Sequence, residues 1–303
     1  MPNERRLELI VYTIAPRRRT RLSVIAALRN VVSEISHARR LTGDLSSCLR
    51  WSTDIVAFRL LRIARVPGYD RRRTITLKSG HRLTYRLNRG DVLTLREVWI
   101  DEVYRLPLTV PCEPRSLIDL GANIGLASVW FAHTYGCDQI VAVEPLRQNV
   151  ELLRHNLAQN DICATVLECA VGPAPGQGFF ARASEPNSGH LAHDGLRVEV
   201  ASMDVVLREL GPTGSADLVK IDIEGAEQAL FASEPAWLES VQIIVIEVHR
   251  AMVEVPRLID AIERAGFARM QPGTVQEGAV TCFVRRATVA DAGATVGLGD
   301  LTH

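Results

Sequence analysis

A glycine-rich turn at residues 118–125 has the residue types of a cofactor cradle. It reads I-D-L-G-A-N-I-G, and it joins an apolar, strand-like stretch to a helix-like one. Gly121 and Gly125 permit a tight turn, and backbone amides at the start of the following helix would face a ligand. Asp119 and Asn123 add polar side chains. We therefore expect a nucleotide-like cofactor to bind at this turn.

An acidic residue follows at the position where a bound ribose requires one. Glu144 lies in V-E-P at residues 143–145, 23 positions after Gly121. At this spacing an acidic side chain reaches ribose hydroxyls in dinucleotide-binding folds. Asn123, however, stands where such a site needs a glycine to admit a pyrophosphate. This disfavours a nicotinamide-dependent dehydrogenase and favours the small zwitterionic end of S-adenosylmethionine.

Three carboxylates end a further buried strand. The string L-V-K-I-D-I-E-G-A-E covers residues 218–227. A preference of acidic residues for the start of the next helix explains Glu224 and Glu227. It does not explain Asp222. Burial of this carboxylate is costly unless a ligand, a cation or hydrogen-bond donors interact with it. We therefore expect Asp222 to belong to the site.

The strand that follows ends in E-V-H, which adds Glu247 and His249 if the two strands are neighbours. His249 and Glu224 are the candidate general bases for a substrate that must lose a proton. Oxygen ligands with one imidazole also suit Mg²⁺ or Mn²⁺, so a divalent cation is an alternative occupant. That metal site would comprise Asp222, Glu224, Glu247 and His249.

Strands and helices alternate with short connections after residue 115, which predicts a parallel sheet with right-handed crossovers. Strands are predicted at 115–120, 139–144, 164–170, 216–222 and 241–247. Helices are predicted at 124–135, 147–159, 203–210, 225–232 and 255–265. A hairpin of 267–272 and 279–284 would close the sheet.

Residues outside this alternation are predicted to cover it or extend from it. Helical spacing at 20–66 and alternation at 74–87 around Ser79-Gly80 indicate an extension at 1–90, serving as a cap, a lid or an oligomer contact. A helix-like pattern at 91–104 then opens a domain at 91–287. The tail at 288–303 is small and polar, and we expect it to be disordered.

An insertion at 173–200, rich in Gly, Pro and Ser, interrupts the alternation after the third parallel strand. It supplies candidates for an acceptor pocket. These are Phe179, Phe180, Asn187, Ser188, Gly189, His190 and His193.

In combination these motifs resemble the FkbM-like family of class I S-adenosylmethionine-dependent methyltransferases, over roughly residues 91–285. The motifs are I-D-L-G-A-N-I-G, V-E-P, E-C-A-V-G at 168–172, K-I-D-I-E-G-A-E at 220–227 and E-V-H. The resemblance implies an α/β, Rossmann-like class I methyltransferase fold. Such a fold has a seven-stranded, mostly parallel sheet with helices on both faces, here preceded by the N-terminal helical and hairpin extension.

The resemblance also implies roles for individual residues. Asp119, Gly121 and Asn123 would lie near the methionine part of the cofactor, Glu144 on the ribose, Pro145, Cys169, Ala170 and Val171 near adenine, and Asp222 at the closure of the pocket. The family implies a hydroxyl of a small metabolite, sugar or specialised natural product as the acceptor. N-methylation of an amine and a non-catalytic, partner-binding role remain alternatives.

Composition is that of an ordinary globular chain of 303 residues, with 47% apolar and 23% charged residues and no net charge. No window reaches the roughly 18 apolar residues of a membrane span, and no signal peptide is recognisable, so we expect a cytoplasmic location. Residues 1–110 carry 22 Lys and Arg against 10 Asp and Glu. Their arginines lack aromatic interleaving, which disfavours nucleic acid as the partner.

Overall fold

The computed structural model describes residues 21–60, 69–110, 113–182, 189–192, 195–223, 226–232, 236–249, 253–270 and 280–287. The tail predicted at 288–303 lies outside the described residues. The same holds for Glu224, Asn187, Ser188 and His193. No helix in the described ranges is long and apolar enough to cross a bilayer.

Eight α-helices, one short 3-10 helix (Ala236–Ser240) and thirteen strands occur in these ranges. The helices are α1 (Arg21–Leu41), α2 (Leu45–Leu60), α3 (Arg89–Trp99), α4 (Leu126–Tyr135), α5 (Arg147–Ala158), α6 (Met203–Arg208), α7 (Glu227–Leu230) and α8 (Val255–Arg264). The strands are β1 (Arg72–Thr76), β2 (Arg82–Arg86), β3 (Ser116–Leu120), β4 (Gln139–Val143), β5 (Ala164–Leu167), β6 (Ala170–Val171), β7 (Gly176–Arg182), β8 (Gly189–Ala192), β9 (Leu196–Ala201), β10 (Ala216–Ile221), β11 (Val241–Glu247), β12 (Phe267–Met270) and β13 (Val280–Arg285).

The central sheet has seven strands in the order β12-β13-β11-β10-β3-β4-β5. Strands β11, β10, β3, β4 and β5 pair in parallel, and β13 runs antiparallel to β11 and β12. The chain order reverses between β3 and β10, which is where ligands bind in open sheets of this kind. The predicted seven-stranded, mostly parallel sheet and its terminal hairpin are confirmed.

Helices cover both faces of the sheet, because successive strand residues point to opposite sides. Leu117 belongs to a buried cluster on one face, together with apolar residues of α4 and α5. Its neighbour Ile118 belongs to a second cluster, together with apolar residues of α6 and α8. β3 is buried along its whole length. The carboxyl ends of the strands are thus held rigidly between two apolar layers.

The N-terminal extension shares the first of these clusters. Trp51 of α2 and Ile75 of β1 are fully buried or nearly so, in the same cluster as Trp130 of α4. The predicted hairpin is confirmed by antiparallel pairing of β1 with β2. Asn156 of α5 anchors it, because its side chain accepts from the Thr84 amide and donates to the Thr84 carbonyl, both at 2.8 Å.

Three predicted boundaries are wrong, and each difference shapes the site. The strand predicted at 164–170 ends at Leu167, because the chain leaves the central sheet and Ala170 pairs with β9 instead. The helix predicted at 91–104 ends at Trp99, followed by a turn with Glu102 in the left-handed region at φ 49°. The helix predicted at 225–232 is the single turn α7.

The insertion at 173–200 contains regular structure that its composition did not indicate. Strands β7, β8 and β9 join β6 in a four-stranded sheet with the order β6-β9-β7-β8. Phe180 and Phe179 lie on β7, and His190 lies on β8. The second sheet therefore begins where residues 169–171 leave the central one.

Candidate active site

A cavity of about 320 Å³ lies at the carboxyl ends of β3, β4, β10 and β11. It brings together ten of the predicted site residues. These are Gly121, Asn123, Glu144, Pro145, Cys169, Ala170, Val171, Asp222, Glu247 and His249. Asp119 and Gly125 do not line it.

The glycine-rich turn approaches the neighbouring strand so closely that no side chain fits. Gly121 has φ 71°, and a Cβ atom there would lie 1.8 Å from the carbonyl oxygen of Asp222. Gly125 has φ 83° and begins α4, where a Cβ atom would lie 2.5 Å from Leu153 Cδ1. Gly121 therefore closes the turn against β10, and Gly125 packs the start of α4 onto α5.

Glu144 is fixed by three donors. Its Oε2 accepts from the backbone amide of Asn123 at 3.0 Å, and its Oε1 accepts from the Leu146 amide at 3.0 Å and the Asn149 side chain at 3.1 Å. Burial raises the pKa of Glu144, while these hydrogen bonds act in the opposite direction. The carboxylate is thereby preorganised at the cavity wall, with lone pairs beyond those used here.

A buried lysine stands beneath the turn. Lys220 Nζ lies 3.0 Å from Asp119 Oδ1 and donates to the carbonyl oxygens of Gly121 at 2.8 Å and Leu120 at 3.2 Å. Burial lowers the pKa of Lys220, but the charges of Asp119 and Asp222 outweigh this and raise it. The ammonium therefore stays charged and fixes the carbonyls of the turn.

Asp119 has a supporting position in the structure. It is fully buried, pairs with Lys220, and accepts from the Ser128 hydroxyl at 2.6 Å. The resemblance placed this residue near the methionine part of the cofactor. The structure places Lys220 between it and the turn instead.

A chain of polar contacts crosses the cavity behind the turn. Asp222 Oδ2 accepts from the Tyr104 hydroxyl at 3.0 Å, and its Oδ1 lies 3.7 Å from His249 Nε2. His249 Nδ1 lies 2.6 Å from Oε1 of Glu227, which is fully buried. Since a carboxylate is an acceptor, Nδ1 carries the proton and donates it to Glu227, which leaves Nε2 as the acceptor of the neutral ring.

Glu247 lies at the end of β11 beside this chain of contacts. Burial, together with the charge of Asp222, raises the pKa of Glu247 to about 8. At neutral pH the carboxyl group is therefore largely protonated and can donate a hydrogen bond.

The predicted divalent-cation site is not supported. Within the described ranges, no three His, Cys, Asp or Glu side chains are grouped so that they could hold a metal ion. Asp222, Glu247 and His249 all line the cavity but do not form such a group. The fourth predicted ligand, Glu224, lies outside the described residues.

One wall of the cavity was not predicted from the sequence. It consists of Leu93, Thr94, Glu97 and Val98 of α3, together with Tyr104. These residues precede the first strand of the central sheet, so the pattern of polar residues at strand ends does not indicate them. Lys220 had a signal, since it is a charged residue flanked by the apolar Val219 and Ile221 inside a buried strand. Of the two candidate aromatics, Phe180 lines the cavity and Phe179 is 44% exposed.

Comparison with known proteins decides what this cavity belongs to. The family model described as "Methyltransferase FkbM domain" matches residues 119–268. Residues 119–268 form a methyltransferase domain of the FkbM family. The chain is accordingly an S-adenosylmethionine-dependent methyltransferase, and the family resemblance of its motifs is confirmed.

Two relatives of this chain are methyltransferase sdnD from Sordaria araneosa and the AMB antimetabolite synthetase AmbE from Pseudomonas aeruginosa. The first is 27% identical over 57% of this chain and 80% of sdnD. The second is 28% identical over 58% of this chain, and the match spans 10% of AmbE. Among solved structures, magnesium protoporphyrin IX methyltransferase from Synechocystis PCC 6803 matches 64% of this chain and 78% of its own, with 12% identity and a TM-score of 0.36.

Proposed function

We propose that the cavity binds S-adenosylmethionine and that the enzyme methylates a hydroxyl group of a small metabolite, sugar or specialised natural product. The observation that carries the acceptor class is the His249–Glu227 pair at the cavity wall. An alcohol must lose its proton as it attacks, and a histidine backed by a carboxylate is suited to take it. A neutral amine needs no such base before it attacks.

The residues present fit this cofactor. Asn123 Oδ1 is buried and finds no hydrogen-bond partner among the described residues, so it can accept from an ammonium group. Glu144 suits the ribose hydroxyls, and Pro145 with residues 169–171 offers a mainly apolar surface to adenine. The carbonyl of Gly121 belongs to the same turn as Asn123, and a hydrogen bond from Lys220 holds it in place. These contacts support the proposal, whereas Asp119 and Gly125 act outside the cavity, through the ion pair with Lys220 and the packing of α4 on α5.

Bound S-adenosylmethionine would supply an electrophilic methyl group on a sulfonium, and breakage of the methyl–sulfur bond would leave the neutral thioether S-adenosylhomocysteine. In the proposed reaction His249 Nε2 takes the proton of the acceptor hydroxyl as the oxygen attacks, while Nδ1–H continues to donate to Glu227. The imidazolium that forms lies 3.7 Å from Asp222 Oδ1, whose negative charge stabilises it. Orientation within the cavity supplies the remaining rate, since well-placed reactants reach effective molarities of about 10⁵–10⁸ M.

We expect Glu144→Gln to weaken S-adenosylmethionine binding by about 10-fold to 100-fold. The change replaces a charged acceptor by a neutral amide whose NH₂ group faces backbone donors, and hydrogen bonds to charged groups contribute about 1.5–3 kcal/mol. Calorimetric titration with S-adenosylmethionine measures the effect. Glu151→Gln on the exposed side of α5 is the matched control. A dissociation constant within twofold of the parent's would remove the ribose assignment.

We expect His249→Ala to lower kcat by about 10²-fold or more, because a positioned general base contributes about that factor. Cofactor affinity should change less than threefold, since Glu144 and the turn remain. His155→Ala, an exposed histidine on α5, is the control. Rates are measured with a deuterated methyl donor and a panel in which each hydroxyl compound is matched by its amine analogue. An unchanged kcat would contradict the assigned base.

N-methylation of an amine is the second candidate, and Glu97 favours it. Glu97 lines the cavity, where its carboxylate would attract a protonated amine. The same panel separates the two functions. Label on the amine member of each pair, with none on the hydroxyl member, would establish N-methylation in place of the proposed reaction.

A further inference from the structure

We infer that Tyr104, which precedes the family-matched residues, is a positioning residue that holds Asp222 in the cofactor cavity. The inference rests on the proposed binding of S-adenosylmethionine there. It assigns a role in the site to a segment that neither the motifs nor the family match includes.

The contact geometry carries the assignment. The Tyr104 hydroxyl donates to Asp222 Oδ2 at 3.0 Å, which is the shortest contact of this carboxylate with a side chain of the described residues. Lys220 Nζ and His249 Nε2 lie farther away, each 3.7 Å from one of its oxygens. The direction of the Asp222 carboxylate is therefore set by Tyr104, whereas Lys220 acts on it mainly through its charge.

The surroundings of Tyr104 hold its ring in place. The residue is 5% exposed, its ring lies 5.4 Å beneath Lys220 Nζ, and its centroid is 6.2 Å from that of Phe131. Burial and the neighbouring carboxylates raise the pKa of Tyr104 well above its ordinary value, so the hydroxyl remains a donor. A rigid donor restricts Asp222 at little cost in conformational entropy.

The chain around Tyr104 is built to deliver it. α3 ends at Trp99, and Glu102 adopts a left-handed backbone conformation that turns the chain inward. On the far side, the Leu106 amide donates to the Tyr135 hydroxyl at 2.7 Å, which ties the segment to α4. The early end of α3 and this turn together place the Tyr104 hydroxyl at the carboxyl end of β10.

A double-mutant cycle with S-adenosylmethionine as the titrant tests the inference without any acceptor. We expect Tyr104→Phe to weaken binding about 10-fold, because the lost bond is to a charged group. Asp222→Ala, which removes the acceptor, should weaken binding at least as much, and adding Tyr104→Phe to it should change the dissociation constant less than threefold. A purely structural tyrosine would not produce this non-additivity.

Tyr85→Phe is the matched control, since it removes a buried tyrosine hydroxyl that donates to a carboxylate, Asp54 Oδ2 at 2.6 Å, and does not line the cavity. Its dissociation constant should stay within twofold of the parent's in both backgrounds. If Asp222→Ala does not fold, Asp222→Leu, which has a similar branched shape and no acceptor, completes the cycle. Equal losses from Tyr104→Phe in both backgrounds, or no loss in the parent, would overturn the inference alone. A parent chain that does not bind S-adenosylmethionine would overturn the cofactor assignment as well.

Discussion

Replacing Lys220 with methionine is expected to lower the free energy of unfolding by about 3–5 kcal/mol, the range measured when one partner of a buried ion pair is removed. Methionine has nearly the same length but no charge, so Asp119 would remain fully buried without its counter-ion. The carbonyls of Leu120 and Gly121 would also lose a donor. Denaturant unfolding of parent and variant, followed by fluorescence, measures the difference.

The double variant Lys220→Met with Asp119→Asn separates the charge from the packing. Removing both charges leaves no unpaired ion, so the double variant should be more stable than Lys220→Met alone. Arg264→Met, which breaks an exposed pair with Asp260 on α8, should change stability by about 1 kcal/mol or less. A Lys220→Met variant as stable as the parent would show that the buried pair is not needed.

The sheet and the cofactor half of the cavity could be predicted because their signals are local. Apolar strands such as β3 and β10 are buried along their length, so hydrophobic runs marked them. The carboxyl ends of parallel strands meet at one edge of the sheet. The positions of Glu144 and His249 at two such ends therefore predicted that they belong to a common site. Only spacing and strand order were needed.

The other half depends on contacts between distant parts of the chain. Glu227 fits the start of a helix, and α7 does begin there, yet the side chain is fully buried against His249. Tyr104 was assigned to a helix that ends earlier. Polar residues that act through partners over 20 positions away leave no periodic pattern. Their roles follow only from the packing of α3 and α7 against the sheet.

Two left-handed positions of the turn, Gly121 and Asn123, show where glycine is required and where it is not. Asn123 also has a positive φ, at 50°, and its side chain is accommodated, so the backbone conformation does not by itself demand glycine there. At Gly121 the requirement is stricter, because the carbonyl of Asp222 occupies the space of a Cβ atom. Close approach between β3 and β10 therefore decides this residue.

Gly121→Ala is accordingly expected to abolish measurable S-adenosylmethionine binding and to destabilise the fold by about 2–5 kcal/mol. A left-handed alanine costs about 1–2 kcal/mol, and overpacking a close contact adds about 1–3 kcal/mol. The added Cβ atom would lie 1.8 Å from a main-chain oxygen, so β3 must move away from β10. That movement carries away the Gly121 carbonyl that Lys220 fixes at 2.8 Å.

Gly136→Ala is the control that isolates the close approach. Gly136 has φ 70°, almost the same backbone conformation, but a Cβ atom there would meet nothing within 4 Å, and the residue ends α4 away from the cavity. Gly136→Ala should lower the free energy of unfolding only by the cost of placing alanine in the left-handed conformation. It should bind the cofactor with the parent's affinity. Calorimetric titration and denaturant unfolding of both variants compare them directly. Equal effects would mean that backbone conformation alone, without contact to β10, requires glycine at the turn.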